Sequence, residues 1–98
     1  MKIDSLDHVV LTVKDIGATC DFYSKVLGME IVTFGDAGRK ALAFGSQKIN
    51  LQQLGRESSL IAEKPTPGSA DVCFVTSVPL DEVIAHLNSC GVRLIGGP

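Results

Sequence analysis

"DFYSKVLGMEIV", residues 21–32, is the stretch that decides the fold of this chain. Asp15 is a candidate N-cap, and five apolar residues at helical spacing follow it: Ile16, Cys20, Tyr23, Val26 and Leu27. Gly28 stands where a helix ends in a residue of positive φ. Residues 29–34 then have the β-branched and apolar composition of a strand. The stretch therefore predicts a helix, a glycine stop and a strand in direct succession.

Strand-like segments surround this predicted helix. Four strands are expected, at residues 7–13, 29–34, 39–45 and 47–54. The last two read as a hairpin joined near Gly45 and Ser46, and "GDAG" at 35–38 is a turn. The first half of the chain, residues 1–54, is therefore predicted to fold as β-α-β-β-β.

The second half repeats this order. Residues 55–69 carry Gly, Ser and two prolines and are predicted to be a linker. A strand is expected at 70–77, and another at 92–95 after a stop at Gly91. Between them lies a helix with Pro79 in its first turn and Ser77 or Val78 near its cap. Its apolar stripe is Leu80, Val83, Ile84 and Leu87.

An offset of about 63 residues places the two halves on each other, which indicates an internal duplication. His8-Val9-Val10-Leu11 then falls on Asp71-Val72-Cys73-Phe74. On this comparison the second half lacks two strands that the first half has. About twenty more residues would be needed to supply them.

Composition narrows the classes of function. The chain has 98 residues, 45% of them hydrophobic, and a formal net charge of −2, which indicates one globular domain. No basic stripe points to nucleic acid, and no apolar run approaches the roughly 20 residues that span a bilayer. The N-terminus lacks the apolar region of a signal peptide, and the three cysteines form no C-x-x-C pair. A cytoplasmic location is therefore predicted.

"LDHVVLTVKD", "DFYSKVLGMEIV", "KINL" and "ADVCFV" together resemble the vicinal oxygen chelate superfamily. This group includes glyoxalase I, bleomycin and fosfomycin resistance proteins, and extradiol dioxygenases. The resemblance implies an α+β fold of paired βαβββ modules with the second module truncated. Residues 1–98 then form a single domain, with one module at 1–54, a linker at 55–69 and an incomplete module at 70–98.

The resemblance also implies a divalent metal, Zn, Mn, Ni or Fe, in a cavity between the modules. The family's ligand positions fall on His8 and Asp71, and a third falls on Asn50, where family enzymes often have Glu or His. The fourth position would lie in the missing strands. Because two plausible ligands are fewer than the usual three, metal binding by this chain is expected to be weak or absent.

Strand alternation assigns faces to these residues. It places His8 away from the aliphatic face of its strand, where the imidazole is either a ligand or base, or a hydrogen-bonded structural group. Asn50 and Gln52 share a face and either order a polar ligand or face solvent. Asp71 shares a face with Cys73 and is either a hard oxygen ligand or a strand-end carboxylate.

Two further residues are candidates for substrate binding. Arg39 begins a strand and is suited to an anionic substrate, although a solvated turn charge is the alternative. Cys73 is either a cavity thiol or a small apolar filler.

Two functions compete. One is a metal-dependent enzyme of the glyoxalase and extradiol dioxygenase group that acts on a small oxygenated molecule. The other is a non-catalytic small-molecule binding protein of the bleomycin-resistance type. A homodimer is predicted in either case, because the truncated module leaves a strand edge and a helix face uncovered.

Overall fold

The computed structural model describes residues 1–56 and 61–96. Part of the predicted linker, at 57–60, and the last two residues of the predicted second module lie outside the described residues. The α+β prediction is confirmed by a mixed four-stranded sheet with two helices. The elements in chain order are β1 Val9–Val13, α1 Ile16–Lys25, β2 Glu30–Phe34, β3 Arg39–Phe44, β4 Gln47–Gln53 and α2 Leu80–Ser89.

The sheet is built entirely from the first half, in the order β1-β4-β3-β2. β3 and β4 form the predicted hairpin, in which Phe44 pairs with Gln47 across a turn that places Gly45 at φ 55°. β2 runs antiparallel to β3, and β1 runs parallel to β4, with Val9 opposite Ile49. β4 is therefore an inner strand with a partner on each side.

The start and stop of α1 follow the sequence prediction. Asp15 is the N-cap, and its Oδ1 accepts a hydrogen bond of 3.0 Å from the Ala18 amide. Gly28 has a φ of 69°, a left-handed conformation that glycine adopts without strain. α1 packs Ile16, Cys20 and Tyr23 against one face of the sheet. The buried core of this contact is Val13, Met29, Leu42, Ile49 and Leu51.

α2 forms where its apolar stripe predicts it, but its N-cap differs. The N-cap is Pro79, whose ψ of 141° is extended, and neither Ser77 nor Val78 takes this position. The helix therefore begins at Leu80, one residue later than predicted. Gly91 follows the helix with a φ of 75°, as expected. No residue of α2 is buried.

The predicted strands at 70–77 and 92–95 are wrong for this chain, because neither segment joins a sheet. The pairing of the first half gives the reason. β1 pairs with β4 and β2 pairs with β3, so each predicted strand of the second half needs a counterpart of β3 or β4. Residues 1–56 and 61–96 form no such counterparts. Without a partner, an extended segment has no ladder for its backbone groups.

The two halves nevertheless touch. The Phe44 and Phe74 rings meet edge to face with their centroids 5.5 Å apart. His86 on α2 lies with its Nε2 2.6 Å from the Val26 carbonyl oxygen, and because a carbonyl only accepts, Nε2 carries the proton. In residues 1–56 and 61–96, no helix is long and apolar enough to cross a membrane.

Candidate functional site

One face of the sheet carries buried polar side chains. Thr12, Asn50 and Gln52 are each no more than 8% exposed. The register sets Val10 beside Asn50 and Thr12 beside Gln52. Ile49 and Leu51 alternate with the amides on β4 and belong to the core beneath α1. The surface that holds Thr12, Asn50 and Gln52 is called the polar face below.

Burial excludes one of the two interpretations of the amides. Residues of a half-exposed sheet would face water, whereas Asn50 and Gln52 are each only 5% exposed. The alternative in which the amides face solvent is therefore wrong. Their role in binding a ligand stays a prediction.

Asn50 differs from its neighbours in its hydrogen bonding. Its Oδ1 is buried and accepts no hydrogen bond from any part of the chain that the structure describes. Gln53, three residues along β4, shows the ordinary solution, since its Oε1 accepts a hydrogen bond of 3.3 Å from the Ile16 amide. A buried acceptor without a partner costs about 1–3 kcal/mol and is rare in native proteins. The Asn50 oxygen is therefore the atom of this face that most needs a donor.

Two cations and an aromatic ring lie beside the polar face. The Arg39 guanidinium carbon is 5.1 Å from the centroid of the Phe34 ring, and the Lys48 Nζ is 5.4 Å from it. Phe34, Arg39 and Lys48 are called the cationic cluster below. Lys48 precedes Asn50 by two residues on β4, so both side chains leave the same face of the strand.

The opposite strand confirms this placement of the cationic cluster. Ala41 pairs with Asn50, and Arg39 lies two residues before Ala41 on β3. Phe34 pairs with Arg39. By alternation, all three members of the cluster share the face that carries Asn50. Ala41, which lies on this face beside Asn50, is small and 1% exposed.

His8 directly precedes β1 and is paired with its neighbour. Its Nδ1 lies 2.7 Å from Oδ2 of Asp7. A carboxylate only accepts, so Nδ1 carries the proton and the neutral ring keeps its lone pair on Nε2. The hydrogen bond from His8 lowers the pKa of the Asp7 carboxyl, and the charge of Lys48 lowers this pKa further. The pair therefore lies within electrostatic range of the cationic cluster.

The described residues do not make a complete metal site. Across residues 1–56 and 61–96, no three His, Cys, Asp or Glu side chains come together in a way that holds a metal ion. Asp71 lies exposed in the segment that joins no sheet. The His8 imidazole and the Asn50 oxygen are groups that can ligate a metal ion, but three ligands are the usual minimum for a catalytic metal. His8 and Asp71 as metal ligands therefore stay a prediction.

A concavity lies between the two halves. It has a volume of about 960 Å³, and its lining includes Val26, Phe44, Cys73, Phe74, Val83 and His86. Asn50, Gln52 and Arg39 do not line it. The structure thus brings Asn50, Gln52 and Arg39 together on one face and places Cys73 at a different site.

Sequence reasoning missed Lys48 and Phe34. A signal for Lys48 was present, because two residues of spacing on a strand put it on the face of Asn50. Phe34 carried no such signal, since its approach to Lys48 depends on how three strands pair.

The chain is similar in sequence and in structure to known proteins. The family model described as the glyoxalase/bleomycin resistance protein/dioxygenase superfamily matches residues 5–97. The chain belongs to this superfamily. The match confirms the resemblance carried by the first helix and the strands on either side of it.

Three similar proteins support the assignment. Virulence protein STM3117 of Salmonella typhimurium is 51% identical over all 98 residues, which cover 67% of that protein. Its crystal structure superposes with a TM-score of 0.95, and the match covers 77% of the crystallised chain. The glyoxalase domain-containing protein RDO1 of Mycosarcoma maydis is 48% identical over the full chain and 54% of its own length. An integron cassette protein of V. cholerae, VCH_CASS1, is 54% identical with a TM-score of 0.95, over the whole chain and 76% of its own. The chain thus spans between about half and two thirds of the curated relatives that it matches.

Proposed function

We propose that this chain is a small-molecule-binding protein whose ligand sits on the polar face and donates a hydrogen bond to Asn50. The buried, unpartnered Oδ1 of Asn50 is the observation that carries the proposal. A ligand hydroxyl or amide N–H would satisfy this oxygen and remove a penalty of about 1–3 kcal/mol. Members of the superfamily bind small molecules, which agrees with this use of the face.

The interior position of β4 supports the same proposal. β4 has a partner strand on each side, so its backbone is fixed and the Asn50 side chain starts from a rigid element. A binding group held in this way loses little conformational entropy when a ligand arrives. Binding of this kind needs only the groups that the structure shows.

The test is a fragment screen by NMR with uncharged hydroxyl and amide compounds. Wild-type protein is compared with Asn50→Leu, which keeps the branching of the side chain and removes its polar atoms. Asn88→Leu makes the same exchange at an exposed position of α2 and is the matched control. We expect the fragments to bind wild type and Asn88→Leu and to lose binding in Asn50→Leu.

A stability measurement separates ligand binding from a structural role of Asn50. If the Asn50 oxygen binds a ligand and does not stabilise the fold, the free energy of unfolding of Asn50→Leu equals that of wild type or is about 1 kcal/mol higher. Loss of stability together with unchanged fragment binding would show that Asn50 serves the fold and would defeat the proposal.

A second candidate is a metal-dependent lyase or dioxygenase acting on a small oxygenated substrate. The observation that favours it is the Asp7–His8 hydrogen bond. A carboxylate on one imidazole nitrogen orients the ring so that the other nitrogen faces a metal, as is usual for metal-bound histidines. The superfamily generally uses a divalent metal. Further ligands would have to come from outside the described residues.

Calorimetry with Zn, Mn, Ni and Fe(II) tests the second candidate in this chain. We expect weak binding or none, because His8 and Asp71 alone do not reach the usual ligand count. Sub-micromolar affinity that His8→Ala abolishes would show that these 98 residues hold a metal after all.

A further inference from the structure

We infer that the ligand of the polar face carries an anionic group, which Arg39 and Lys48 bind beside Phe34. This inference rests on the proposed function and adds the chemical class of the ligand. The charges of the cationic cluster and its distance to Asn50 support an anionic ligand.

Among the described residues, the two cations lack an acidic partner. The ion pairs in residues 1–56 and 61–96 are Lys2–Asp4 and Lys25–Asp21, and Asp7 is hydrogen-bonded to His8. None of these contacts includes Arg39 or Lys48. Both charges lie within 5.4 Å of one ring centroid. Two like charges beside one ring repel each other, and the ring does not neutralise them. An anionic group that reaches both would offset this repulsion.

The other cation of β3 has a different arrangement. Lys40 adjoins Arg39 in sequence and therefore leaves the opposite face of the strand. Its Nζ donates a hydrogen bond of 2.7 Å to the hydroxyl oxygen of Thr33 on β2. Lys40 thus has a hydroxyl oxygen as its partner, whereas Arg39 lies over the Phe34 ring, although both side chains are half-buried. The contrast singles out the cations on the polar face.

Asp7, an acidic residue whose pKa is lowered by the charge of Lys48, does not fill the role. The charge of Lys48 lowers the pKa of Asp7, so the two groups interact at long range. Asp7, however, is hydrogen-bonded to His8 and is fully exposed. An exposed charge already engaged by an imidazole is screened by water and contributes little to holding Lys48.

Position along the strand gives the shape of the ligand. Lys48 and Asn50 are two residues apart, which places them about 7 Å from each other along β4. A ligand that meets both has an anionic group at one end and a hydroxyl or N–H donor a few bonds away. The guanidinium fork of Arg39 suits the paired oxygens of a carboxylate or phosphate. Small hydroxy acids have both features.

The experiment titrates three probes of similar size into the full chain at constant ionic strength and follows amide shifts by NMR. Lactate has the anion and the hydroxyl, propionate has only the anion, and propane-1,2-diol has only hydroxyls. We expect lactate to bind at least tenfold more tightly than the other two. Arg39→Gln and Lys48→Gln should each weaken lactate about tenfold, since a charge-assisted hydrogen bond contributes about 1.5–3 kcal/mol.

Lys40→Gln is the matched control, because it removes the same charge from the other face of β3. It should leave lactate affinity within about twofold of wild type, since its charge lies on the face of β3 opposite to the polar face. Arg39→Lys keeps the charge but loses the fork, and should recover part of the affinity. If a Gln variant fails to fold, the wild-type ranking of the three probes decides the question alone.

Three outcomes would overturn the inference. One is equal affinity for lactate and the diol, and another is a loss with Lys40→Gln as large as with Arg39→Gln. The third is no lactate binding up to about 50 mM, the weakest affinity expected of a specific ligand with six non-hydrogen atoms. Uncharged fragments that still depend on Asn50 would leave the proposed function intact in each case.

Discussion

The two halves of this chain share one sequence pattern and have different structures. Residues 9–13 and 72–76 are both apolar, β-branched segments that precede a helix and a glycine stop. The first is a strand of the sheet, and the second joins no sheet. β1 has β4 beside it, whereas the later segment has no such neighbour in the described part of the chain. The strand therefore depends on its partner as much as on its own residues.

The helices behave differently from the strands. α1 and α2 each have ten residues, and both form where the sequence predicts them. A helix satisfies its backbone hydrogen bonds within its own segment, so it needs no distant partner to close them. Tertiary packing then separates the two, because α1 covers a buried core and α2 has no buried residue.

The largest expected effect tests where stability lies. Leu42 is 0% exposed at the centre of the first half, while Val75 in the second half is 97% exposed. Leu42→Ala should lower the free energy of unfolding by about 2–5 kcal/mol, because it leaves a cavity in the core. Val75→Ala should change it by no more than about 0.5 kcal/mol. Urea unfolding measures both, and equal losses would show that the second half is as tightly packed as the first.

The next effect concerns association through α2. The helix's apolar stripe is unburied, and Leu80 alone is 56% exposed, so we propose that two chains pair through this stripe. Leu80→Asp should weaken a dimer at least about tenfold and leave the helix intact, since an acid in the first turn favours helix formation. Light scattering at low micromolar concentration measures the mass. Ile61→Asp is the control at another exposed apolar residue. A monodisperse wild-type monomer would contradict the dimer.

A smaller effect distinguishes the two helix starts. Asp15 caps α1 with its side chain, whereas Pro79 begins α2 without a side-chain hydrogen bond. Asp15→Ala should destabilise the protein by about 1 kcal/mol, since the Ala18 amide loses its acceptor. Asp4→Ala is the control, because its ion pair with Lys2 is exposed and long, at 3.9 Å. Thermal unfolding measures the stability of both variants. An equal loss of stability in both would show that the hydrogen bond of the Asp15 cap does not stabilise α1.

The smallest effect is a difference in thiol reactivity. Burial raises the pKa of the Cys20 thiol on α1, with a smaller contribution from the Asp21 charge and an opposing one from Lys40. A raised pKa leaves less thiolate at a given pH, so Cys20 should react with iodoacetamide more slowly than the exposed Cys73 and Cys90. Mass spectrometry of timed samples at pH 8 reads each site. The difference should narrow as the pH rises, and a Cys20 that reacts first would contradict this order.

The sequence predicted the structural features that depend on residues close to one another in the chain. Asp15, Ile16 and Gly28 define α1 within about fifteen residues, and the hairpin turn at Gly45 is equally local. The sequence also predicts that Asn50 and Gln52 lie on the same face of their strand, because the alternation of side chains is fixed by backbone geometry.

Other features depend on distant parts of the chain and were not predictable. Alternation says which face Asn50 occupies but not what covers it, so burial of the amide was left open. The approach of Lys48 to Phe34 depends on the pairing of β2, β3 and β4. The strands expected at 70–77 and 92–95 failed for the same reason, since their pairing partners lie far away in sequence.

The position of β1 has a consequence for the order of folding. β1 is an edge strand of the described four-stranded sheet and pairs with β4, so Val9 must meet Ile49 across forty positions of chain. The β3–β4 hairpin, in contrast, closes across Gly45 and Ser46. Short loops close sooner than long ones, and non-local pairing is slow. We therefore expect β1, which is synthesised before β2, β3 and β4, to enter the sheet after them, once residues as far as Gln53 have emerged.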